Sequence, residues 1–259
     1  AEMSLANSHY FKDTAAMLGR SLKHIARSAD TIITVCLVPI AIMLMFVYVF
    51  GGALGDGMNT SEYVDYALPG ILLISIASAS AYTAARMFAD KESGFFSRLR
   101  SMPIPTSSAL WAHMLTSLLS NALSLAIIFL VASVMGFRSS ASLASWLAVA
   151  GILALFTLAL SWVAAIAGLK ASSAEGAGAF SYPLIFLPFV SSAFLPTETM
   201  PSAVRAFADN QPVTAIVDSV RTLLAGQPIG GELWVALAWC VGIMLIAWFF
   251  AMKAYRKGA

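Results

Sequence analysis

The side chains that could do chemistry in this chain are concentrated in two polar segments that separate long apolar runs. In the first, residues 86–105, charged residues such as Glu92 surround Phe95 and Phe96, and Pro103 would end a helix there. A short amphipathic helix with exposed aromatic rings is suited to dock into a groove on a partner protein. The segment therefore predicts a protein-docking site, with an ordinary interfacial loop as the alternative.

The second polar segment covers residues 196–231. After Pro212, valine, isoleucine and leucine residues recur on one helical face, and Gly226 is placed to cap the end of that helix. The helical pieces of this segment are too short and too polar to cross a bilayer. Because irregular backbone is tolerated in hydrocarbon only where protein covers it, we expect a re-entrant helical hairpin here.

Motifs for nucleotide binding and for common catalytic chemistry are missing from the sequence. It contains no G-x-x-x-x-G-K-[ST] phosphate loop, no H-E-x-x-H, no C-x-x-C and no G-x-S-x-G. His9, His24 and His113 are far apart and form no recognisable metal-binding pattern. We therefore expect no catalytic residue, no metal site and no cofactor bound by this chain itself.

Long charge-free stretches must position the two polar segments. Only 11% of the residues are charged and 59% are hydrophobic, whereas a soluble domain is typically about 25% charged. About 20 residues of helix span the roughly 30 Å hydrocarbon layer of a bilayer. Stretches of at least that length without Asp, Glu, Lys or Arg are 31–55, 66–85, 101–137, 139–169, 176–197 and 233–252.

We predict an all-α, polytopic membrane protein in which residues 1–259 form one transmembrane domain. Two prolines, Pro183 and Pro188, predict a kink in the fifth span, because proline removes backbone donors. The six predicted transmembrane helices are 31–51, 66–87, 107–135, 142–169, 177–195 and 233–252.

The basic residues predict the orientation of these spans. With both termini in the cytoplasm, the outer loops hold only Arg138, Arg205 and Arg221 of the 15 Lys and Arg residues. Lys and Arg near span ends are retained on the cytoplasmic side, so this arrangement is the expected one. Segment 88–105 then projects into the cytoplasm and segment 196–231 lies outside.

Residues 1–30 are predicted to contain an amphipathic helix on the inner membrane surface. Arg20, Lys23 and Arg27 share a cationic face that would contact anionic lipid, while apolar residues occupy another face. A short soluble helix packed on a partner protein is the alternative. Membrane lipid is thus an expected partner, and nucleic acid is not.

Three patterns span the two polar segments. They are E-x-G-x-x-x-x-L-R-x-x-P from Glu92 to Pro103, small-small-x-F-x-P-x-x-x-x-P from Ser191 to Pro201, and N-x-P…D-x-x-R-x-L-L-x-G from Asn210 to Gly226. Together they resemble the ABC-2 type permeases, the membrane subunits of ATP-binding-cassette exporters such as daunorubicin-resistance permeases and polysaccharide and teichoic-acid exporters. The resemblance covers essentially the whole chain.

The resemblance implies a division of labour between subunits. Two permease subunits, identical or different, would pair in the bacterial cell membrane, and two separate ATPase subunits would bind ATP and Mg²⁺. The segment over 88–105 would be a coupling helix in a cleft of the ATPase, with contacts from Glu92, Gly94, Phe95, Phe96, Leu99, Arg100 and Pro103. The outer re-entrant helices would contain Phe194, Pro196, Pro201, Pro212, Arg221 and Gly226.

The cargo is predicted from aromatic residues in and near the spans. Aromatic rings would suit an amphipathic or planar hydrophobic compound moved outward, although rings in spans also serve as packing and interface anchors. The candidates for the cargo path are Phe46, Tyr48, Tyr82, Phe180, Tyr182 and Phe186. A lipid-linked glycan exporter and an ion-coupled carrier are the alternatives; the charge-free spans disfavour the carrier.

Overall fold

A computed structural model describes residues 29–50, 59–100, 107–228 and 230–256 of the chain. Within these ranges the regular secondary structure is helical and contains no β-strand, which confirms the predicted all-α class. The basic residues of the predicted interface helix, Arg20, Lys23 and Arg27, lie outside the described residues, as does Pro103.

The helices vary widely in length. A π-helix, Met45–Phe50, continues the first of them, and 3₁₀ turns occur at Leu187–Val190 and Thr197–Thr199. In chain order, the α-helices of the described residues are α1 (Ala29–Leu44), α2 (Thr60–Glu92), α3 (Phe95–Arg100), α4 (Ser107–Val134), α5 (Leu143–Lys170), α6 (Ala174–Gly178), α7 (Ser181–Phe186), α8 (Ser202–Asn210), α9 (Pro212–Leu224) and α10 (Glu232–Arg256).

Helices α2, α4, α5 and α10 are long and apolar enough to cross a membrane. Two of the predicted spans, 31–51 and 177–195, instead correspond to shorter apolar helical segments, Cys36–Val49 and Ala174–Val190. The described residues thus contain four candidate spans, and the short segments pack beside them.

The predicted fifth span is interrupted rather than merely kinked. Helix α6 ends at Gly178, α7 begins at Ser181, and the chain then tightens into the 3₁₀ turn Leu187–Val190. Pro183 lies in the first turn of α7, and Pro188 lies in the 3₁₀ turn. Proline lacks the backbone N–H donor that a continuous helix needs. The segment is therefore divided into short helical pieces, one containing Pro183 and the next containing Pro188.

The predicted helix over 88–105 is also divided. Residues 88–92 are the end of helix α2, and a separate short helix, α3, follows at Phe95–Arg100. Between them Gly94 has a φ of +69°, a left-handed conformation that favours glycine. Glu92 is therefore the last residue of a long helix and not part of a separate coupling helix.

Local sequence signals fix where the long helices begin. The Asn59 side chain accepts a hydrogen bond from the backbone of Glu62, and the Glu62 carboxylate accepts one from the Asn59 backbone at 3.0 Å, which is a capping box. Ser142 caps α5 in a similar way through the backbone of Ser145. Pro212 occupies the first turn of α9, where its missing donor costs nothing.

The core is built around α2, which is buried along most of its length. Helix α5 packs against both α2 and α10, while α1 packs against α2 and α4. Outward-facing apolar side chains on α4 and α10, such as Leu130 and Ile246, remain exposed. Exposure of this kind is favourable where the surrounding medium is hydrocarbon.

Hydroxyl groups join three of the long helices inside the core. Thr83 Oγ1 of α2 lies 2.9 Å from Ser117 Oγ of α4, which lies 2.8 Å from Ser161 Oγ of α5. All three residues are buried. Interhelical hydrogen bonds of this type are a recognised source of helix association in membranes, where apolar burial contributes little.

We predict that Ser117→Ala lowers the free energy of unfolding by about 1 kcal/mol, because it removes both interhelical bonds. The Thr83 hydroxyl keeps its 3.4 Å bond to the Ala79 carbonyl oxygen, whereas the buried Ser161 hydroxyl loses its partner on α4.

Ser120→Ala is the matched control, since the Ser120 hydroxyl donates to the Thr116 carbonyl oxygen of its own helix and to no other helix among the described residues. Thermal unfolding in detergent measures both variants. Equal effects of the two substitutions would contradict a structural role for the interhelical bonds.

Candidate functional site

Residues from four helices form a cluster at one end of the bundle, here called the Phe96 cluster: Asp90, Phe96, His113 and Tyr255. The Phe96 ring is 1% exposed and meets the Tyr255 ring edge-on at a centroid distance of 5.3 Å. Its centroid lies 6.3 Å from that of the His113 ring. Phe96 therefore fastens α3 to α4 and α10.

A polar contact within the Phe96 cluster joins α2 to α4. His113 Nε2 lies 3.0 Å from Asp90 Oδ2. Both side chains are partly accessible, at 12% and 27% respectively. This bond, together with the Phe96 ring, holds the last turn of α2 and the helix that follows it against the bundle.

The turn between α2 and α3 is braced by its own side chains. Arg98 Nη2 donates to the Ser93 carbonyl oxygen at 3.1 Å, and Ser93 Oγ donates to that of Asp90 at 3.0 Å. Lys91 Nζ donates to the Ala171 carbonyl oxygen at the end of α5 at 3.3 Å. These bonds fix the direction in which α3 leaves the bundle.

The residues predicted to contact a partner protein differ in how exposed their side chains are. Glu92 is exposed and Phe95 is half-buried. The expectation that Phe96 is exposed is wrong, because its ring is needed to pack α3 onto the protein. Leu99 and Arg100 lie in the last turn of α3.

A second cluster, the Arg221 cluster, lies at the other end of α2 and comprises Tyr66, Ser192, Asp218 and Arg221. Arg221 Nη1 donates to Asp218 Oδ1 at 2.8 Å, and Ser192 Oγ donates to the same carboxylate oxygen at 2.6 Å. Arg221 Nη2 donates to the carbonyl oxygens of Ser192 at 2.8 Å and Tyr66 at 3.1 Å. One guanidinium thus joins α2, α9 and the irregular segment before the 3₁₀ turn Thr197–Thr199.

The Tyr66 side chain completes this cluster. Its ring lies under the Arg221 guanidinium at 3.9 Å from the ring centroid, and its hydroxyl donates to the Ser192 carbonyl oxygen at 3.0 Å. Burial lowers the pKa of Arg221 from its usual value, whereas Tyr66 and Asp218 act in the opposite direction. An arginine remains protonated in proteins, so the cluster contains a fixed, charged ion pair.

The remaining outer residues predicted for the site fall into three groups. Phe194 is buried, whereas Pro196 and Pro201 are exposed on either side of the 3₁₀ turn. Pro212 starts α9, and Gly226, with a φ of +66°, ends it. The backbone of Gln227 closes that end on the Thr222 carbonyl oxygen, so the predicted glycine cap is confirmed.

Some of the aromatic residues predicted for a cargo path come together. The Phe46 ring stacks on Phe194 at 4.5 Å and lies 5.8 Å from Phe189, which in turn lies 6.2 Å from Phe186. These four rings, the Phe46 cluster, connect the π-helix, α7 and the segment that follows it. Tyr48 and Tyr182 are exposed elsewhere on these elements.

Two predicted path residues lie apart from the Phe46 cluster. Phe180 packs beside a small buried group of alanines that joins α2, α5 and α6, and Tyr82 is half-buried on α2. Sequence reasoning also missed Tyr66 and Ser192 as partners of Arg221. Only Asp218, one turn before Arg221 on the same helix, could have been found from spacing.

We predict that Arg221→Lys destabilises the packing of α9 by about 3 kcal/mol, because a lysine cannot reach all the oxygens that the guanidinium binds and leaves Asp218 poorly paired. Hydrogen exchange of residues 190–224 should therefore accelerate. Arg205→Lys is the control, since its 3.4 Å pair with Asp209 lies on the surface, with 47% and 42% of the two side chains exposed, and such a pair contributes little. If hydrogen exchange in Arg221→Lys matched that of the unmodified chain, the Arg221 cluster would not be the main contact that holds α9 against the other helices.

Comparison with known proteins agrees with this architecture. The family model described as ABC-2 type transporter matches residues 12–225. The daunorubicin resistance ABC transporter permease protein DrrB1 of Streptomyces coeruleorubidus is 30% identical over 250 residues, covering 94% of this chain and 86% of that protein. The probable doxorubicin resistance ABC transporter permease protein DrrC of Mycobacterium tuberculosis is 22% identical, covering 96% of this chain and 90% of that protein. The chain therefore belongs to the ABC-2 type transporter family, whose members are membrane proteins that work with ABC ATPases.

Proposed function

We propose that this chain is the transmembrane permease subunit of an ABC exporter that moves an amphipathic or planar hydrophobic compound out of a bacterial cell. Family membership and relatives named for daunorubicin and doxorubicin resistance carry this proposal. ATP and Mg²⁺ are bound by two separate ATPase subunits, and a second permease subunit completes the complex.

In this proposal the chain crosses the bacterial cell membrane six times, with both termini in the cytoplasm. The short apolar segments Cys36–Val49 and Ala174–Val190 add two crossings to the four long helices. The first of them lies within a continuous helix from Ala29 to Phe50, which reaches the roughly 20 residues of an ordinary span. The second is shorter and completes its crossing through the irregular residues that follow it, 191–196. Helices α8 and α9 form the outer re-entrant hairpin.

The Phe96 cluster is the proposed link to the ATPase. Glu92 at the end of α2 and Arg98 in α3 are charged and exposed, while the buried Phe96 ring keeps α3 attached to the bundle. A helix that is fixed on one side and docked on the other moves with its partner as a rigid body. ATP binding that draws two ATPases together would then move α2 and α4 as well.

The Phe46 cluster is the proposed part of the cargo path in this subunit. Its rings connect the π-helix at the end of α1 to α7 and the 3₁₀ turn after it, and Phe186 exposes 65% of its surface. Aromatic rings accept planar apolar molecules by offset stacking. Movement of α1 relative to α7 would open or close the contact between these rings.

We predict that Glu92→Ala combined with Arg100→Ala weakens ATPase binding about a hundredfold, as expected for the loss of two charged contacts. The stimulation of ATP hydrolysis by reconstituted permease should then disappear at ordinary subunit concentrations, with membrane insertion intact. Hydrolysis is measured with the cognate ATPase in proteoliposomes.

The matched control for this experiment is Glu198→Ala combined with Arg205→Ala, which removes exposed charges from the segment between Val190 and α9. It should stimulate hydrolysis normally. Normal stimulation by the Glu92 and Arg100 double variant would show that this segment is not the coupling element.

We predict that Phe186→Ala raises the concentration of daunorubicin needed for half-maximal stimulation of ATP hydrolysis about tenfold, because one stacking surface is lost. Phe249→Ala on α10 is the control, since its ring is exposed to a similar degree, 58% against 65%. If both variants respond like the unmodified chain, the cargo path lies elsewhere.

A further inference from the structure

Arg86 on α2 is a half-buried charge that makes no hydrogen bond to any described residue. Its Nε is buried and unpaired, whereas the two terminal nitrogens of the guanidinium remain accessible. A charge that is partly removed from water is costly unless an opposite charge or hydrogen-bond acceptors compensate it. The guanidinium therefore requires an anion that reaches it from outside the described part of the chain.

Asp90, one turn further along α2, does not supply that anion. Its Oδ2 lies 3.0 Å from His113 Nε2, and among the described residues no ion pair joins it to Arg86. It attracts the guanidinium only over a longer distance. Arg221, by contrast, donates to one carboxylate and to several carbonyl oxygens. A guanidinium has five N–H donors, so the missing partner is a group with several oxygens.

The position of Arg86 along α2 places it at the edge of the hydrocarbon layer. It is the first charged residue after the charge-free stretch 66–85, and a helix of about 20 residues spans the roughly 30 Å of that layer. Lys91, further along the same helix, donates to the Ala171 carbonyl oxygen just beyond the end of α5. The phosphate and ester groups of a phospholipid lie at this depth.

The face of α2 that contains Arg86 is open to a lipid. Ala84 packs against alanines of α5 and α6, and Tyr82 and Arg86, two residues before and after it, lie on the opposite side of the helix. Their neighbour Ala89 is small and exposed. Tyr82 is half-buried, and its hydroxyl makes no hydrogen bond to a described residue. The hydroxyl is therefore available to an ester oxygen next to the phosphate.

We propose that Arg86 binds the phosphate of a phospholipid, whose acyl chains run along the Tyr82 face of α2. The paired donors of an arginine match two oxygens of a phosphate. This binding does not depend on the cargo of transport. Because Asp90 belongs to the Phe96 cluster, the bound phosphate lies beside the segment that is proposed to contact the ATPase.

The test measures dissociation constants by native mass spectrometry of the purified full-length permease in detergent. Its three probes are dioleoylphosphatidylglycerol, dioleoylglycerol with the same acyl chains but no phosphate, and glycerol phosphate without acyl chains. We expect the first bound phosphatidylglycerol to have a Kd about thirtyfold below that of dioleoylglycerol, the value for charge-assisted hydrogen bonds. Glycerol phosphate should bind more weakly than phosphatidylglycerol, because it buries no acyl chain.

Three variants assign the preference to Arg86. Arg86→Met removes the charge and should bind both lipids equally, and in detergent without lipid it should unfold at no lower temperature than the unmodified chain. Arg86→Lys keeps the charge without the paired donors and should retain only part of the preference. Lys253→Met is the control, since it removes an exposed basic residue near the end of α10, and it should keep the full preference.

Each of the other outcomes would overturn the proposal. Equal losses in Arg86→Met and Lys253→Met would mean that surface charge in general attracts the lipid. Glycerol phosphate that binds as tightly as phosphatidylglycerol would mean that the site takes a soluble phosphate. If the unmodified chain bound both lipids equally, the guanidinium would not recognise phosphate. A lower unfolding temperature of Arg86→Met without lipid would mean that the protein itself already pairs the guanidinium.

Discussion

The interrupted segment between α7 and α8 depends on side chains that bind its free carbonyl oxygens. In a membrane, a helix can break only where other groups replace the lost backbone hydrogen bonds. Gln211 Nε2 donates to the Val190 carbonyl oxygen, and Arg221 and Tyr66 both donate to that of Ser192. The prolines permit the break, but these donors determine where the chain can leave the helix and how it is held.

The same donors connect the break to the longest helix. Tyr66 lies near one end of α2 and Asp90 near the other, and the 33 residues of this helix extend about 50 Å. The side chains of α2 are buried along most of its length, and the Thr83 hydroxyl forms a hydrogen bond with Ser117 of α4. Helix α2 therefore connects the Phe96 cluster to the Arg221 cluster, with Pro69 as an interior proline near the Arg221 cluster.

Hydropathy and charge predicted most of the long helices because both properties are local to one segment. The predicted spans 107–135 and 142–169 lie close to α4 and α5, and the predicted span 233–252 lies within α10. The predicted span 66–87 misses the first turns of α2, because polar residues after the Asn59 cap read as loop although they continue the helix. Caps mark helix starts more closely than hydropathy does.

The three clusters were harder to predict from the sequence than the helices, because the residues that contact each other are far apart along the chain. Arg221 bonds to the backbone of Tyr66, 155 residues away, and backbone acceptors leave no signature in residue type. The sequence predicts Phe96 on the exposed apolar side of an amphipathic docking helix, but its ring packs against His113 and Tyr255, which come from two other helices. A single sequence contains no information that would pair them.

The burial of Phe96 changes what a partner protein can recognise at α3. A ring that is 1% exposed contributes to packing within the chain and not to an interface. The accessible groups are then the charged side chains near the α2–α3 turn, such as Glu92 and Arg98. Charged contacts at a rim set specificity and association rate more than affinity. In the proposed complex, firm docking of α3 on the ATPase would therefore require apolar area from the half-buried Phe95, whose ring would contact both the bundle and the partner.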